Sequence, residues 1–196
     1  MELTHTKFRI MLVDDHPERA QMLEQALVAE QHVIVARLDS RADLSVEVNL
    51  HTPEIIFIDV DAPGRATLES LAQINRLRPL PVVLCAARSD SETARRVVSA
   101  GVSAYVVNGL QAERVSALLD VAVARFEMQQ TLRLELDAAK TRLADQRDIE
   151  KAKGLLMKRK SLDEAAAFAL LRRMAMDRQQ KIGDYARALL SAADIL

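Results

Sequence analysis

The chain has 196 residues, of which 49% are apolar and 28% charged, and its formal net charge is −1. This composition is ordinary for a globular protein with a buried core, in one large domain or two small ones. No apolar run approaches the roughly 18 residues of a membrane span, and the N-terminus has no secretory signal, so we expect a cytoplasmic protein without a membrane partner. The single cysteine excludes an internal disulfide, and the 4 histidines have no metal-ligand spacing.

Charge is distributed unevenly along the chain. Residues 1–110 contain 11 Lys and Arg against 15 Asp and Glu, whereas residues 140–196 contain 13 against 8. A basic C-terminal segment on an acidic body indicates a polyanionic partner for that end. A solvated helix surface explains the same charges equally well, so charge alone leaves both interpretations open.

Five short apolar segments in the first half of the chain have the length and β-branched content of buried strands. They span residues 8–13, 32–38, 55–58, 82–85 and 104–107. Helical patterns separate them, and the clearest covers residues 17–30, with Met22, Ala26 and Leu27 on one face. Strands that alternate with helices pair in parallel through right-handed crossovers. The sequence therefore predicts a doubly wound α/β domain with a five-stranded parallel sheet.

A long helix is predicted next, because residues 110–153 contain neither Gly nor Pro. Apolar residues recur along it at alternating steps of three and four, which is the spacing of a coiled coil, with interruptions at Arg125 and Gln129. This pattern predicts a homodimeric coiled coil, and the alternative is that the stripe packs against the chain's own domains. The predicted dimer seam consists of Leu118, Ala122, Leu132, Leu136, Ala139 and Leu143.

The pattern after Gly154 is typical of a compact helical module. The segment "SLDE", residues 161–164, has the sequence of a capping box, in which Ser161 and Glu164 bond reciprocally and start a new helix. The expected buried face of this helix contains Ala165, Phe168, Leu171 and Ala175. The expected buried face of the last helix contains Ile182, Tyr185, Ala186 and Leu189. Such short helices bury little surface alone, so we expect them to need the coiled coil or a partner chain.

Carboxylates end two strands of the predicted sheet. Asp14 and Asp15 end the first strand, and Asp59 ends the third. The carboxyl ends of parallel strands meet at one edge, where like charges require a divalent cation or shifted pKa values. The sequence therefore predicts an acidic pocket that is a candidate Mg²⁺ site, and it predicts no other cofactor.

This arrangement resembles the receiver domain of two-component response regulators, with its flavodoxin-like fold, over residues 1 to about 125. The resemblance implies that Asp59 stands at the phosphoacceptor position. It also implies that Asp14 and Asp15 are the acidic pair that holds Mg²⁺. As in the family, a Pro-Gly pair follows the acceptor position, at residues 63–64.

Two positions depart from this family. Ala86 stands where the family carries Thr or Ser to bond the phosphoryl oxygen, and Asn108 stands where it carries Lys. Phosphoryl transfer depends on positioned charges and hydrogen bonds, so both differences weaken the chemistry. We therefore interpret Asp59 as a retained scaffold carboxylate. Tyr105 keeps the place of the family's rotating aromatic residue, and a half-buried strand residue is an equally good interpretation.

The C-terminal segments "AKGLLM", "EAAAFALLRRMAMDR" and "IGDYAR" together resemble the ANTAR domain, the RNA-binding module of the AmiR/NasT transcription antitermination regulators, and the NasT branch in particular. The resemblance implies a pseudo-receiver at residues 1–112, a coiled coil at 113–146 and a three-helix ANTAR domain at 147–196. Phe168 and Tyr185 could stack on a base, but the helical pattern favours the core for both. Phosphate contacts are expected from Lys151, Lys153, Lys158, Arg159, Lys160, Arg172 and Arg173.

The resemblance implies a regulator that binds paired stem-loops in leader RNA and prevents terminator formation. It also implies nitrate assimilation as the regulated pathway, and control by a docking nitrate or nitrite sensor protein. One alternative is a phosphorylation-dependent response regulator, with Asp59 as acceptor, that binds DNA. A structural dimerisation scaffold is another. We expect no enzymatic activity, because the sequence has neither a G-x-x-x-x-G-K-[ST] nor a G-x-G-x-x-G phosphate-binding loop.

Overall fold

The computed structural model describes residues 7–108 and 114–193. The chain forms two compact units, here called the N-terminal unit (residues 1–129) and the C-terminal unit (residues 130–196). The predicted domain boundary at residue 112 lies outside the described residues, and the predicted boundary at residue 146 stays a prediction. In the described ranges, no helix is long and apolar enough to cross a membrane.

The N-terminal unit contains a five-stranded parallel sheet in the order β2-β1-β3-β4-β5, which confirms the predicted doubly wound fold. Strands β1, β3 and β4 are buried along nearly their whole length, because neighbouring strands and helices on both faces cover them. The predicted strand ends differ from the observed ones by at most two residues. The strands are β1 (Arg9–Asp14), β2 (Val33–Leu38), β3 (Ile55–Val60), β4 (Val82–Ala86) and β5 (Ala104–Val107).

Five helices cover this sheet, and they are α1 (Pro17–Ala29), α2 (Leu44–His51), α3 (Arg65–Leu77), α4 (Ser91–Ser99) and the start of α5 (Val115–Lys160). Helices α2, α3 and α4 pack on one face, and α1 and α5 pack on the other. Local signals fix the helix starts. Pro17 occupies the first turn of α1. The Asp43 carboxylate accepts a hydrogen bond from the backbone N–H of Ser45, and Asp90 accepts one from Thr93.

The buried face of α1 differs in part from the predicted one. Ala20, Leu23 and Leu27 form it, at the i, i+3, i+7 spacing of a helix stripe that faces a sheet. Met22 is exposed, and Ala26 is only partly buried at the edge of the core. The prediction was therefore right for Leu27 and wrong for Met22, because the helix is rotated about one residue from the predicted orientation.

Helix α5 runs through Gly154 and ends at Lys160, further than predicted. Its first turns belong to the core of the N-terminal unit, where Leu119 and Ala122 are buried and Leu118 is partly buried against them. Ala122 therefore cannot line a dimer seam, and for both Leu118 and Ala122 the structure supports the alternative, packing on the chain's own sheet. The other seam residues, all exposed, are Leu132, Leu136, Ala139 and Leu143.

The C-terminal unit packs α6 (Glu164–Asp177) and α7 (Ile182–Ala193) against the last turns of α5. Tyr185 is buried in this core, as the pattern predicts, whereas Phe168 is 43% exposed and its predicted core position is wrong. The Ala-rich sequence of α6 allows several apolar faces, and the face that packs is rotated away from Phe168. The core consists of Ala152, Leu156, Ala167, Leu171, Ala175, Tyr185 and Ala186.

The start of α6 also differs from the predicted capping box. Ser161 has a φ of 52°, the left-handed conformation, in the turn that follows α5. The cap residue is Asp163, whose Oδ1 accepts a hydrogen bond from the backbone N–H of Ala166 at 2.7 Å. Glu164 reaches Lys153 of α5 instead of its own cap residue. The predicted capping roles of Ser161 and Glu164 were wrong, because α5 continues to Lys160 and Ser161 lies in the turn directly after it.

Candidate functional sites: an acidic pocket and a basic helical surface

Asp14 and Asp59 lie side by side at the carboxyl edge of the sheet. They are register partners of β1 and β3, so the parallel pairing brings both carboxylates to one place. Asp59 is 2% exposed and Asp14 is 8% exposed. Two buried carboxylates on neighbouring strands repel each other, so a nearby cation must balance their charge or one of them must bind a proton.

Arg19 provides that cation. Its guanidinium extends from the first turns of α1, and its Nη2 donates to Asp14 Oδ1 at 2.9 Å and to the Asp59 carbonyl at 3.1 Å. Its Nε lies 3.2 Å from Asp59 Oδ2, and its Nη1 lies 3.6 Å from Asp61. Multidentate contacts of this kind are strong because the guanidinium presents donors in a fixed plane. Arg19 therefore occupies the acidic pocket with a cation that belongs to the protein itself.

Burial dominates the electrostatics of Asp59 and raises its pKa to about 6. Arg19 lowers the pKa of this carboxyl, but the loss of water around the buried group raises it by more. The charge of Asp14 adds to the rise. Burial likewise raises the pKa of the neighbouring Cys85 thiol to about 12. Burial therefore favours the protonated form of this thiol.

The pocket does not fit a divalent cation. Asp15, the third expected ligand, is exposed, and its Oδ1 accepts a hydrogen bond from the Ser40 N–H at 2.8 Å. The guanidinium of Arg19 already contacts the carboxylates of Asp14 and Asp59. Within residues 7–108 and 114–193, no group of three or more His, Cys, Asp or Glu side chains is placed to hold a metal. The structure thus gives the predicted Mg²⁺ site no support.

The two positions at which the sequence departs from the receiver family, Ala86 and Asn108, lie next to each other at the carboxyl edge of the sheet. Ala86 ends β4, fully buried, and carries only a methyl group. Asn108 is exposed with a φ of 75°, and its backbone N–H donates to the Ala86 carbonyl at 3.0 Å. In the described chain the buried Tyr105 hydroxyl has no hydrogen-bond partner. Within residues 7–108 and 114–193, Arg19, Asp14 and Asp59 thus form an ion-pair cluster in this pocket.

Six of the seven cations predicted to contact RNA are exposed on the C-terminal unit, namely Lys151, Lys158, Arg159, Lys160, Arg172 and Arg173. In the described part of the chain, none of these six forms an ion pair with an acidic side chain. They lie at the end of α5 and on α6. The structure thus leaves these charges free to attract a polyanion.

Lys153 is the exception. It is 8% exposed, and its Nζ lies 2.9 Å from Glu150 Oε1 and 2.7 Å from Glu164 Oε1. The hydrogen bond to Glu164 is the main cause of a raised Lys153 pKa. This ion pair joins α5 to the start of α6. In this conformation Lys153 holds the helical unit together and does not present its charge to a ligand.

Besides Asp15 and Lys153, described above, two residues differ from the sequence pattern. Arg19 was missed, although its position one turn into the helix after Asp14 is a usable signal, because a side chain there can reach back over the strand ends. Phe168 was placed in the core, and its exposure follows from the rotation of α6.

The five-stranded fold and the carboxylate pair at its edge define a receiver-type α/β domain. The response regulator receiver domain matches residues 10–120, more than half of the chain, and the chain belongs to this family. An ANTAR domain matches residues 137–190. The protein therefore combines a response regulator receiver domain with an ANTAR domain.

Similar proteins agree with this organisation. The transcriptional regulatory protein PdtaR of Mycobacterium tuberculosis is 28% identical over 182 residues, which cover 93% of this chain and 89% of PdtaR. The chemotaxis protein CheY of Bacillus subtilis is 24% identical over 108 residues, 55% of this chain and 90% of CheY. The structure of the receiver domain of NarL from Mycobacterium tuberculosis matches with a TM-score of 0.51 at 23% identity, over 59% of this chain and 96% of that domain. The NarL likeness shows the fold alone.

Proposed function

We propose that this protein is an RNA-binding transcription antitermination regulator and not an enzyme. It binds paired stem-loops in leader RNA and prevents the terminator from forming. The observation that carries the proposal is the coincidence of the ANTAR match at residues 137–190 with a surface of exposed, unpaired cations. RNA of this kind is recognised through its loops and shape, with basic side chains on its phosphates.

Six exposed cations supply the phosphate contacts in this proposal. Lys153 is left out, because its ammonium is engaged by Glu150 and Glu164. The contacts come from Lys151, Lys158, Arg159, Lys160, Arg172 and Arg173.

A homodimer through α5 belongs to the same proposal. Leu132, Leu136 and Leu143 are each more than half exposed, at the spacing of a coiled-coil seam. Two recognition units in one dimer raise the effective concentration of the second contact, which suits two loops on one RNA. Sedimentation of the full chain tests the dimer. A monomer at micromolar concentration would remove this part of the proposal.

Regulation is proposed to act through a docking sensor protein instead of phosphorylation. The pocket supports this, because Arg19 already pairs with Asp14 and Asp59, and Ala86 and Asn108 provide neither the hydroxyl nor the ammonium of the receiver family. A nitrate or nitrite sensor and nitrate assimilation genes are the partner and pathway that the NasT-like sequence features favour. Addition of a cognate sensor with and without nitrate tests this, since unchanged RNA binding would remove the sensor from the proposal.

The RNA assignment is tested by titrating the full chain with a hairpin RNA and with a DNA duplex of matched length, across a salt series. We expect selective RNA binding, and an affinity that falls with salt in proportion to the number of phosphates contacted. Equal or tighter binding to the duplex would favour the alternative, a DNA-binding response regulator. Incubation with acetyl phosphate and intact-mass measurement would then show whether Asp59 becomes phosphorylated.

A further inference from the structure

Phe168 lies on the surface of the C-terminal unit with its side chain 43% exposed, and Met176 on the same helix is 65% exposed. Together with Arg172, these residues follow one another at steps of four, which places them on one face of α6. The chain contains 4 Phe, 2 Tyr and no Trp. Phe168 is the only exposed Phe or Tyr among the residues that the structure describes. Its ring shares a helix face with Arg172 and Met176 and is available for a contact outside the unit.

A groove of about 350 Å³ runs along this face. Ligand pockets in proteins range from about 300 to 1,000 Å³, so the groove has room for one planar group of nucleobase size. Helix α6, the turn after it and the first residue of α7 contribute the lining. The lining residues are Phe168, Arg172, Ala175, Met176, Gln180 and Ile182.

The backbone fixes the part of the groove that Gln180 forms. Helix α6 ends in a Schellman turn, in which the N–H of Gln180 donates to the Ala175 carbonyl at 3.0 Å and the N–H of Gln179 donates to the Met176 carbonyl at 2.9 Å. Gln179 has the left-handed φ of 55° that this turn requires. Gln180 is thereby held beside Ala175 before a ligand binds, which lowers the entropic cost of binding.

The chemistry of the lining matches an unpaired nucleobase. The ring of Phe168 and the guanidinium of Arg172 are the kinds of surface on which bases stack in RNA complexes. The Gln180 amide offers both donors and an acceptor to the polar edge of a base. An apolar side chain from a protein partner would instead bury Arg172 and Gln180 without hydrogen-bond partners, which is unfavourable.

The charge around the groove favours the same ligand. Residues 165–183 contain four cations and one acidic residue, Asp177. The phosphates that flank a base are attracted to such a surface, whereas a basic partner is repelled. The four cations, all exposed, are Arg172, Arg173, Arg178 and Lys181.

We propose that this groove binds one unpaired base of an RNA loop, with Phe168 as the stacking surface. The inference rests on the RNA-binding function proposed above. It deepens that function by assigning the base-binding position to α6 and its C-terminal turn.

The test uses the full chain and a hairpin selected by it from an RNA library with a randomised loop. Each loop nucleotide is replaced in turn by an abasic nucleotide, and Kd is measured for the wild type and for Phe168→Leu, which keeps apolar volume and removes the ring. We expect one abasic position to weaken wild-type binding about tenfold. The same position should have no effect on Phe168→Leu, because the stacking partner is already lost.

Three further variants complete the design. Phe168→Tyr keeps the ring and should restore the wild-type pattern. Leu134→Ala removes an exposed leucine of α5 in the same unit and should leave the pattern unchanged. If Phe168→Leu unfolds by circular dichroism, Gln180→Ala replaces it, with loss of discrimination among the four bases at the sensitive position as the expected result.

The failure of this inference is distinguishable from that of the RNA-binding function. If the wild type enriches no hairpin, the proposed function fails and the groove assignment fails with it. If the wild type binds and Phe168→Leu keeps the wild-type abasic pattern, the groove assignment is overturned and RNA binding stands. If Phe168→Leu changes the sedimentation coefficient of the chain and keeps the wild-type abasic pattern, the groove is a contact between copies of the chain. That result also overturns the groove assignment.

Discussion

Arg19 controls the stability of the acidic pocket, because its guanidinium contacts both Asp14 and Asp59. In Arg19→Gln we expect the free energy of unfolding at neutral pH to fall by about 2 kcal/mol, because two largely buried carboxylates lose their counter-ion. Millimolar Mg²⁺ should then raise the Tm of this variant but not of the wild type, since only the variant has room for a cation. Thermal unfolding with and without Mg²⁺ measures both effects.

Arg37→Gln is the control for this prediction, because Arg37 pairs with Glu24 nearer the surface. Its Tm should change little and should not respond to Mg²⁺. An equal Mg²⁺ response of the wild type and Arg19→Gln would show that Arg19 does not occupy the cation position.

Asp59 gives the N-terminal unit a pH dependence of known sign. Burial raises its pKa to about 6 from an ordinary 3.8, so the folded state keeps its proton to higher pH than the unfolded chain does. The contribution of Asp59 to stability is therefore most favourable at acid pH and falls as pH rises from about 4 through 6. Asp59→Asn has no carboxyl that loses a proton. Its free energy of unfolding, relative to that of the wild type, should therefore increase by about 2–3 kcal/mol as pH rises from about 4 through 6. Urea unfolding at a series of pH values measures the difference, which a flat profile would contradict.

Lys153 and Lys151 are two residues apart on α5 and differ in their surroundings. Lys153 is held by Glu150 and Glu164, whereas Lys151 is exposed. Lys153→Met should lower the Tm of the C-terminal unit, and RNA binding below that Tm should keep its salt dependence. Lys151→Met should leave the Tm unchanged, weaken RNA binding and reduce the salt slope by about one phosphate contact. A weaker RNA affinity and a smaller salt slope for Lys153→Met, with neither change for Lys151→Met, would show that Lys153 contacts RNA.

At the scale of the helices, Gly154 and Gly183 are expected to respond oppositely to the same substitution. A Cβ at Gly154, inside α5, would meet nothing within 4 Å, so Gly154→Ala should stabilise the C-terminal unit by about 0.5–1 kcal/mol. A Cβ at Gly183 would clash with the Asp145 side chain, so Gly183→Ala should separate α7 from α5 at a cost of about 1–3 kcal/mol. Urea unfolding compares the two, and destabilisation by Gly154→Ala would indicate an unrecognised contact on that face.

The elements differ in how well their sequences predict them. The strands were predictable because each is a short β-branched run between turn residues, and their parallel pairing follows from their alternation with helices. The buried face of α6 was not, because Ala residues surround Phe168 and leave the apolar stripe ambiguous. The end of α5 was not predictable either, since a glycine interrupts a helix only when packing does not compensate, and Gly154 lies among residues that pack in the C-terminal core.

The candidate sites show the same limit at the scale of single residues. The meeting of Asp14 and Asp59 follows from strand order and was predictable. The closure of the pocket by Arg19 depends on the orientation of α1 over the sheet edge, which is a tertiary property. The burial of Lys153 depends likewise on the packing of α6 against α5, because only then does Glu164 come within reach.

The whole molecule combines an acidic receiver unit with a basic helical unit. Helix α5 connects them and carries exposed leucines between its two packed ends. In our proposal, regulation acts through association, with the N-terminal unit as a folded docking surface. The exposed part of α5 is the proposed seam for a second copy, and each C-terminal unit carries one proposed RNA contact surface.

The most direct measurement compares the affinity of the full chain for a leader RNA with two stem-loops and for the same RNA with one loop deleted. If two C-terminal units of a dimer bind two loops, the two-loop RNA should bind about a hundredfold more tightly, with one RNA per two chains. Equal affinities for the two RNAs, or one RNA per chain, would contradict the bivalent account.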